Sequence, residues 1–429
     1  MTISRRDLVT GLGGFVATAA IPSGRGFEVP AQMPEPQASF PRKADFAIED
    51  GYTYLNAAYT HPIPNVSVEA GRRAVEARGS LRPTPSPSGR GGSSAAPNPR
   101  ALFAQLINAK PTEIAYVSST SAGENLVVRA LGLDHDVNQG NVVTDGLHFE
   151  GALLHLLELK KRGLDVRVVR PTSEGTIDLR DLASAVNRST KLVEVSSTAM
   201  YNGFQHDLKA VCDVAHNEGA YVYADIVHTA GAEPFDVKAS GVDFAACSSF
   251  KWLMGDFGLG FLYVKESILS KLQRPVVGYY QPATLEAHFP PAIPDGEYRA
   301  IDYVYGPPTA ASMFEMGTLT GSTMANLAVL ASSLTYVMSL GVDRIQAHRL
   351  PLIRRLQESV PRLGFRPVTP PGSTSGNVTF YRRGLAASDL ATRFAAAKVN
   401  VRLGADWMRL SPSVYNDMGD IEHFLDVLR

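Results

Sequence analysis

Cysteine is scarce in this sequence, and its scarcity excludes several classes of protein. The 429 residues contain only two cysteines, Cys212 and Cys247. Two widely spaced cysteines cannot form a cysteine-ligated metal centre, nor the disulfide framework of a small secreted scaffold. Both lie in regular-looking segments and are interpreted as small buried residues, although a single disulfide between them stays open. We therefore expect no metal site.

An excess of one charge is also missing. Lysine plus arginine number 41 and aspartate plus glutamate 42, which gives a net charge of -1. This balance indicates neither a basic surface nor an acidic tail, so we expect no nucleic-acid partner. No apolar run is long enough to span a bilayer as a mature helix, so we expect no membrane association once the N-terminal segment is removed. The 45% of apolar residues is ordinary for a globular protein of this length.

The N-terminal segment resembles a bacterial twin-arginine export signal. It reads SRRDLVTGLGGFVATAAIP, with Arg5 and Arg6 before a weakly apolar stretch that ends at small residues. We predict a signal peptide over residues 1–25, a linker over 26–45, and a periplasmic or secreted protein. The alternative is a cytoplasmic protein whose N-terminus contains a chance pair of arginines.

Strand-like and helix-like segments alternate along the rest of the chain. This pattern predicts an α/β fold with a mainly parallel seven-stranded sheet and helices on both faces. Only about ten residues separate the last two strands, so the last one is expected to run antiparallel. The predicted strands are Ile114–Ser118, Asn141–Thr144, Val166–Val169, Leu192–Ser196, Tyr221–Asp225, Phe244–Ser248 and Gly260–Val264.

Two domains are expected. A large domain would cover residues 46–310, and a smaller α+β domain would cover 311–429, with the N-terminal segment contributing to the smaller one. The Pro-, Gly- and Ser-rich stretch at 83–100 is interpreted as a loop inside the large domain, because helix-like sequence follows it at once.

Several reactive side chains follow the predicted strands directly. Ligands of open α/β sheets bind beyond the carboxyl ends of the strands, so these side chains are expected to meet in one crevice. They are Ser118, Ser119, Thr120, Ser121, Asp145, His148, Asp225, His228, Ser248, Ser249 and Lys251.

Lys251 carries the strongest indication of chemistry. It lies between an apolar strand and the pair Trp252-Leu253. Desolvation there would lower its pKa and leave a neutral amine able to attack an aldehyde. The alternative is a lysine whose ammonium reaches the surface. Asp225, at the end of the strand YVYAD, could face a protonated pyridine nitrogen or could form a structural ion pair.

The run of hydroxyl residues from Ser118 to Ser121 precedes a predicted helix. Free N–H groups and the positive end of the helix favour a phosphate at such a place, and the hydroxyls add donors. Serine and threonine are also the usual N-cap residues, so this feature alone is weak.

Together these segments resemble the class V aminotransferase family of fold-type I pyridoxal 5′-phosphate (PLP) enzymes. The segment that carries the resemblance is Asp225–Val264, which contains DIVHTAGAEPFDV and FAACSSFKWLMGDFGLGFLYV. The overall pattern is most similar to the isopenicillin N epimerase-like branch. Further matching segments are Tyr54–Pro62, Ser118–Leu131, Tyr201–Leu208, Phe314–Thr320 and Met408–Asp417.

The resemblance implies roles around the cofactor ring. Lys251 would form the Schiff base with PLP and later move the α-proton of the substrate. Asp225 would keep the pyridine nitrogen protonated, so that the ring withdraws electrons. His228 would lie near the ring hydroxyl. His148 would stack on the ring, with Phe149 as its rival for that place.

It also implies contacts with the phosphate and the substrate. Thr120, Ser121 and Ser248 would bind the phosphate, and Thr318 would reach it from the partner subunit of a homodimer with shared active sites. Asn202 lies near an asparagine that contacts the cofactor in the family. Arg409 would bind the α-carboxylate of a small amino-acid substrate, a task suited to a guanidinium; without the resemblance, it would be read as a surface ion pair.

The expected function is chemistry at the α-carbon of an amino acid. Transamination is the first hypothesis; epimerisation, or elimination by a carbon–sulfur lyase, is the alternative. Desulfurases of this family carry a nucleophilic cysteine upstream of the substrate-binding arginine, and no cysteine follows Cys247 here. The sequence therefore argues against cysteine desulfurase activity. A hypothesis of another class is a secreted binding protein that keeps the fold without the chemistry.

Overall fold

The structure, a computed structural model, describes residues 39–80, 98–279, 281–286, 302–317 and 324–429. The predicted signal peptide, most of the predicted linker and Thr318 lie outside these ranges. Within them, the structure contains fifteen strands and twelve α-helices. No single described helix is both long and apolar enough to cross a bilayer; one pair of helices, bent by 72°, meets that test together.

The strands are β1 (Thr53–Tyr54), β2 (Ile114–Val117), β3 (Asn141–Asp145), β4 (Asp165–Val169), β5 (Thr190–Ser196), β6 (Tyr221–Asp225), β7 (Phe244–Ser248), β8 (Gly260–Val264), β9 (Thr284–Glu286), β10 (Asp302–Val304), β11 (Arg366–Pro367), β12 (Val378–Tyr381), β13 (Val399–Asn400), β14 (Arg402–Leu403) and β15 (Trp407–Leu410).

The helices are α1 (Asn65–Gly79), α2 (Pro99–Leu106), α3 (Thr120–Ala130), α4 (Glu150–Lys161), α5 (Leu179–Ala185), α6 (Leu208–Asn217), α7 (Val237–Ser240), α8 (Ala310–Phe314), α9 (Met324–Leu340), α10 (Val342–Ser359), α11 (Ala387–Ala396) and α12 (Met418–Leu428).

The central sheet has seven strands in the order β2-β8-β7-β6-β5-β3-β4. Strands β3 to β7 pair in parallel, whereas β8 runs antiparallel to both β7 and β2. The predicted seven-stranded, mainly parallel sheet and its antiparallel last strand are therefore confirmed. The parallel strands place their carboxyl ends along one edge, where the predicted site residues follow them.

Helices cover both faces of this sheet because its strands are apolar on both sides. Alternate residues of one strand enter different cores: Val193 and Val195 pack into one cluster, and Leu192 packs into the other. Cys247 lies in the first cluster with Cys212, and both are buried free thiols. The disulfide that the sequence left open does not form between them.

The C-terminal part contains a second, antiparallel sheet in the order β11-β12-β15-β14. Its core includes Leu352, Leu356 and Ile353 of α10 and Phe424 of α12. Strand β1 of the N-terminal segment pairs in parallel with β13. The N-terminal segment thus contacts the C-terminal part of the chain, and its assignment to the smaller domain stays a prediction. Arg409 on β15 belongs to the second sheet.

The predicted boundary between residues 310 and 311 stays a prediction. Helix α9 lies after it, yet Leu327, Leu330 and Leu334 of this helix pack into the core of the large sheet. The end of the predicted linker contacts the C-terminal part of the chain, because Lys43 forms an ion pair of 3.0 Å with Asp420 on α12.

Candidate active site

A cleft opens at the carboxyl ends of the large sheet's strands. It encloses about 510 Å³ of empty space, including its open mouth, which suits a small ligand. Seven of the side chains expected in this crevice line it: Ser119, Thr120, Ser121, Asp225, His228, Ser248 and Lys251. Phe149, the rival of His148 for the stacking position, also lines it. The other lining residues are Ser196, Met200, Val227 and Phe250.

A rigid turn after β7 places Lys251 in the cleft. Met254 N–H donates to the Lys251 carbonyl at 2.8 Å, and Met254 adopts a left-handed φ of 56°. Trp252 beside it is 1% exposed. A side chain on Gly231 would meet the Trp252 carbonyl oxygen at 2.5 Å, so glycine lets this wall close over the turn. The backbone from which the Lys251 side chain extends is therefore held in one conformation.

Burial lowers the pKa of Lys251 to about 8, even though the Asp225 carboxylate opposes the shift, and the Arg409 charge adds to it. A usable fraction of the amine is then neutral near neutral pH. Its Nζ lies 3.0 Å from Nε2 of His228. Burial and the charges of Lys251 and Arg409 lower the pKa of His228 well below its usual value. The neutral imidazole can thus accept a hydrogen bond from the amine and orient it.

Asp225 lies at the end of β6 and is 3% exposed. Its Oδ1 accepts from Val227 N–H at 2.9 Å, and no cationic side chain among the described residues forms an ion pair with it. Burial raises its pKa to about 6, while the charges of His148 and Lys251 and the Val227 N–H oppose the rise. A carboxylate held in this way has the placement to bind a cationic ring nitrogen in the cleft.

A hydroxyl cradle lies at the start of α3. Thr120 N–H donates to Ser248 Oγ at 2.8 Å, and Ser248 N–H donates to Thr120 Oγ1 at 3.0 Å. These reciprocal bonds join the helix start to the end of β7. The positive end of this eleven-residue helix lies at the cleft, and four hydroxyl residues line the cleft there: Ser119, Thr120, Ser121 and Ser248. This arrangement suits a phosphate.

Phe149 rather than His148 lines the cleft. His148 is 3% exposed and its Nδ1 is 2.8 Å from the Oγ of Ser196, which does line the cleft. The stacking of one of these two rings on the cofactor stays a prediction, with His148 and Phe149 as the two candidates.

Arg409 is 4% exposed and sits on β15, opposite Arg402 of β14. Its Nη1 donates to the Met200 carbonyl at 2.9 Å, and its Nε has no partner among the described residues. Burial and the charge of Arg402 lower its pKa to about 10, so it stays charged at neutral pH. Arg409 is not itself among the residues that line the cleft, but it is bonded to Met200, which is. Its contact with a substrate carboxylate therefore stays a prediction.

One predicted cofactor contact lies away from the cleft, and another falls outside the described residues. Asn202 donates to the Gly175 carbonyl at 2.7 Å and accepts from Phe204 N–H at 3.0 Å, so both ends of its amide brace a loop. It is absent from the residues that line the cleft. Thr318 lies outside the described residues, and its contact with a partner subunit stays a prediction.

Sequence reasoning missed two buried acids below the cleft, Glu124 of α3 and Glu194 of β5. Both are 0% exposed. A glutamate at the centre of the apolar strand KLVEVS was a usable indication, since buried carboxylates are rare without a partner. Met200 and Phe250 of the cleft wall were missed because single apolar residues carry no motif.

These features define the class of protein. The desolvated lysine fits the aldehyde of PLP, which reacts with amines. The buried acid without a cationic partner fits the ring nitrogen, and the helix start fits the phosphate. On the fold-type I scaffold, they describe a PLP-dependent enzyme that acts on small amino-acid substrates.

The chain belongs to the class-V aminotransferase family, whose family model matches residues 89–424. It is 29% identical over 346 residues to a probable cysteine desulfurase of Pyrococcus abyssi, covering 77% of this chain and 81% of that one. The apo structure of a cysteine desulfurase from Thermococcus onnurineus superimposes with a TM-score of 0.75 at 25% identity, covering 91% and 97%. A C-DES mutant with glycine covalently linked to its PLP shares the fold (TM-score 0.74, 20% identity, 90% and 99% covered).

These relatives correct one expectation. The sequence argued against cysteine desulfurase activity because no cysteine follows Cys247. That expectation is wrong: a relative along most of the chain is a probable cysteine desulfurase, and a structural neighbour is a cysteine desulfurase. A search for one nucleophilic residue was too narrow a test, because it tied the whole activity to a single loop. The comparisons do not single out the isopenicillin N epimerase-like branch.

Proposed function

We propose that this enzyme breaks the carbon–sulfur bond of cysteine or a cysteine derivative. The observation that carries the proposal is the contact of 3.0 Å between Lys251 Nζ and His228 Nε2 inside the cleft. The proposal is also supported by the chain's similarity to a probable cysteine desulfurase. When bound, PLP supplies an aldehyde for the lysine amine and a ring that withdraws electrons from the substrate α-carbon.

The protein's own side chains divide the remaining work. Arg409 binds the α-carboxylate and thereby orients the substrate over the cleft. Lys251 removes the α-proton at its Nζ, and His228, which stays neutral, accepts a hydrogen bond from that amine and keeps the proton nearby. Asp225 balances positive charge on the far side of the cleft. Phe149, Met200 and Phe250 exclude water from the reacting centre.

The products decide the proposal. Holoenzyme is incubated with L-cysteine, L-cystine and an S-alkyl cysteine, and sulfide, free thiol, sulfane sulfur, alanine, pyruvate and ammonia are measured. Alanine with sulfane sulfur indicates desulfuration, and pyruvate with ammonia indicates β-elimination; either result supports carbon–sulfur cleavage. An amino group recovered on an added keto acid, with no sulfur released, would replace the proposal by transamination.

Two further features stay proposals alongside this one. A homodimer with Thr318 at the partner's phosphate site would show as a two-chain mass in solution. Export by the twin-arginine route would show as mature protein in the periplasm that begins near residue 25.

A further inference from the structure

A buried cluster of two carboxylates and two imidazoles lies next to the cofactor cleft. Glu124 comes from α3, Glu194 from β5, His155 from α4, and His148 from the turn before α4. The reactive atoms of Glu124, His148 and Glu194 lie within 4.8 Å of one another. The proposed carbon–sulfur chemistry gives none of these four side chains a role.

His148 is held through both of its ring nitrogens. Its Nε2 lies 2.7 Å from Oε1 of Glu124, and its Nδ1 lies 2.8 Å from Oγ of Ser196. Both side chains of the pair with Glu124 are fully buried. This contact has the length of a charge-assisted hydrogen bond, and it points the imidazole at the cleft wall through Ser196.

Glu194 has the opposite situation. Neither of its carboxyl oxygens has a hydrogen-bond partner among the described residues, and neither does Oε2 of the adjacent Glu124. His155 Nε2 is 4.0 Å from Glu194 Oε1, too far for a hydrogen bond. No lysine or arginine in the described ranges forms an ion pair with either acid. Two carboxylates within 4.8 Å of each other in a buried interior cannot both be ionised without a large cost.

One added proton would give these unpartnered oxygens a hydrogen bond. If Glu194 carries it, its O–H can donate to the free oxygen of Glu124, and Glu124 then accepts from both Glu194 and His148. We propose that Glu194 is a permanently neutral carboxylic acid, that Glu124 carries the charge of the pair, and that Glu124 thereby keeps His148 positive beside the cofactor. The two glutamates are positioning residues that act through His148.

The electrostatic environment points the same way. Burial and the neighbouring Glu124 raise the pKa of Glu194 well above its usual value. Burial alone would lower the pKa of His148, but Glu124, Asp225 and Asp145 outweigh it and raise the pKa. Burial lowers the pKa of His155, so this ring is neutral.

The remaining titratable neighbours leave this charge pattern intact. Tyr223 of β6 faces both acids, and burial raises the pKa of this phenol well above its usual value, so it is neutral. Asp145 of β3 already pairs with His206 at 3.1 Å. Negative, positive and negative charges therefore follow one another through Glu124, His148 and Asp225. The positive His148 lowers the pKa of Asp225 by more than the negative Glu124 raises it. The pair therefore favours the ionised Asp225, which is the form that binds a protonated ring nitrogen.

A divalent cation is the competing occupant of the cluster, since carboxylates and imidazole are metal ligands. The geometry favours a proton. Ligand atoms around a tetrahedral ion with bonds of about 2.0–2.1 Å stand about 3.3 Å apart. The His148 to Glu124 contact, at 2.7 Å, is a hydrogen-bond length.

The direct test is the infrared carbonyl band of a protonated carboxylic acid. Full-length holoenzyme with ¹³C-labelled glutamate is dialysed against a chelator, and its spectrum at neutral pH is compared with that of the unlabelled protein. We expect a glutamate band that disappears in Glu194→Gln. Glu233→Gln is the matched control, because Glu233 is also buried but bonds to Thr198 and Gln205 instead.

A second measurement separates charge from shape. PLP affinity of the apoprotein at neutral pH is expected to stay within about twofold in Glu194→Gln, since a neutral amide replaces a neutral acid. In Glu124→Gln, His148 loses its counter-charge, and affinity is expected to fall about tenfold, the equivalent of one pKa unit.

Three outcomes would overturn the proposal: no glutamic-acid band in the wild type, a band that disappears in Glu233→Gln, or a stoichiometric divalent cation in elemental analysis. An affinity loss in Glu194→Gln as large as that in Glu124→Gln would also overturn it. If Glu194→Gln does not fold, the wild-type band and its persistence in Glu233→Gln decide the question.

Discussion

The cofactor side and the substrate side of the cleft bury charge in different ways. On the cofactor side, the end of the large sheet, buried charges have opposite charges nearby: His148 contacts Glu124 at 2.7 Å, and Lys251 feels the attraction of Asp225. On the substrate side, Arg409 of the smaller sheet has no carboxylate within ion-pair distance among the described residues. Its nearest charged neighbour in the register is another arginine, Arg402.

This difference indicates which charge each side of the cleft lacks before the substrate binds. A buried cation without a counter-ion is costly, and a substrate carboxylate would remove that cost. The substrate side therefore gains its missing charge from the amino acid, whereas the cofactor side is already set before the substrate arrives. Changes on the cofactor side should abolish chemistry, and changes on the substrate side should weaken binding.

The largest effect is expected for Lys251→Ala. Without the amine, the cofactor has no covalent attachment and the α-proton has no base, so carbon–sulfur cleavage should fall by on the order of 10³-fold or more. The visible absorbance of bound PLP should shift or disappear. Lys271→Ala, at an exposed lysine of the same domain, is the control and should behave as wild type.

Asp225→Asn is expected to have the next largest effect. Loss of the carboxylate that balances the ring nitrogen should lower kcat by about a hundredfold or more. The pH dependence gives a sharper measurement. Because the pKa of Asp225 is raised to about 6, the carboxyl gains a proton and loses its charge as the pH falls below that value. PLP affinity of the wild-type apoprotein should therefore weaken below about pH 6.

In Asp225→Asn, the part of this loss that has its midpoint near pH 6 should be absent, because the amide does not titrate, whereas the part due to protonation of Lys251 should remain. Exposed Asp181→Asn should keep the wild-type profile. If the PLP affinity of Asp225→Asn and of the wild type fell equally below pH 6, the titration would belong to another group.

Arg409→Lys tests the substrate side. An ammonium keeps the charge but loses the planar pair of donors, which corresponds to about 1.5–3 kcal/mol or roughly 10- to 100-fold in KM for the amino acid. The cofactor's absorbance should not change, since Arg409 does not hold the cofactor. Arg362→Lys at an exposed site is the control. A loss of PLP with unchanged KM would break the division between the two sides.

The smallest effect on the cleft is expected for Leu352→Ala in the core of the smaller sheet. Leu352 is 4% exposed, so the cavity should lower the free energy of unfolding by about 2–5 kcal/mol. At a temperature where the variant is folded, its cofactor spectrum should match wild type. Leu179→Ala, at a side chain that is 40% exposed, should cost less than about 0.5 kcal/mol in a denaturant titration.

The fold was largely predictable because its strands are short apolar runs that end in polar residues. All seven strands of the large sheet, and the reversed direction of β8, follow from segment lengths and spacing. Lys251, Asp225 and the Thr120–Ser248 contact were predictable because each follows a strand end, and parallel strands bring those ends together.

Other parts of the site depend on the path of the chain in space. The sequence does not show that the Asn202 amide braces Gly175 and Phe204, since both contacts are set by a loop conformation. The pairing of Glu124 with Glu194 joins residues from a helix and a strand 70 positions apart. The small sheet's register, which places Arg402 beside Arg409, is equally set by tertiary pairing. Neither local propensity nor periodicity carries such information.

The most direct test of the central claim is peptide mass spectrometry of holoenzyme reduced with borohydride, which fixes PLP to the amine that holds it. The account predicts one phosphopyridoxyl group per chain, on the peptide that contains Lys251. A label on any other lysine, or a reduced protein without label after incubation with PLP, would contradict it.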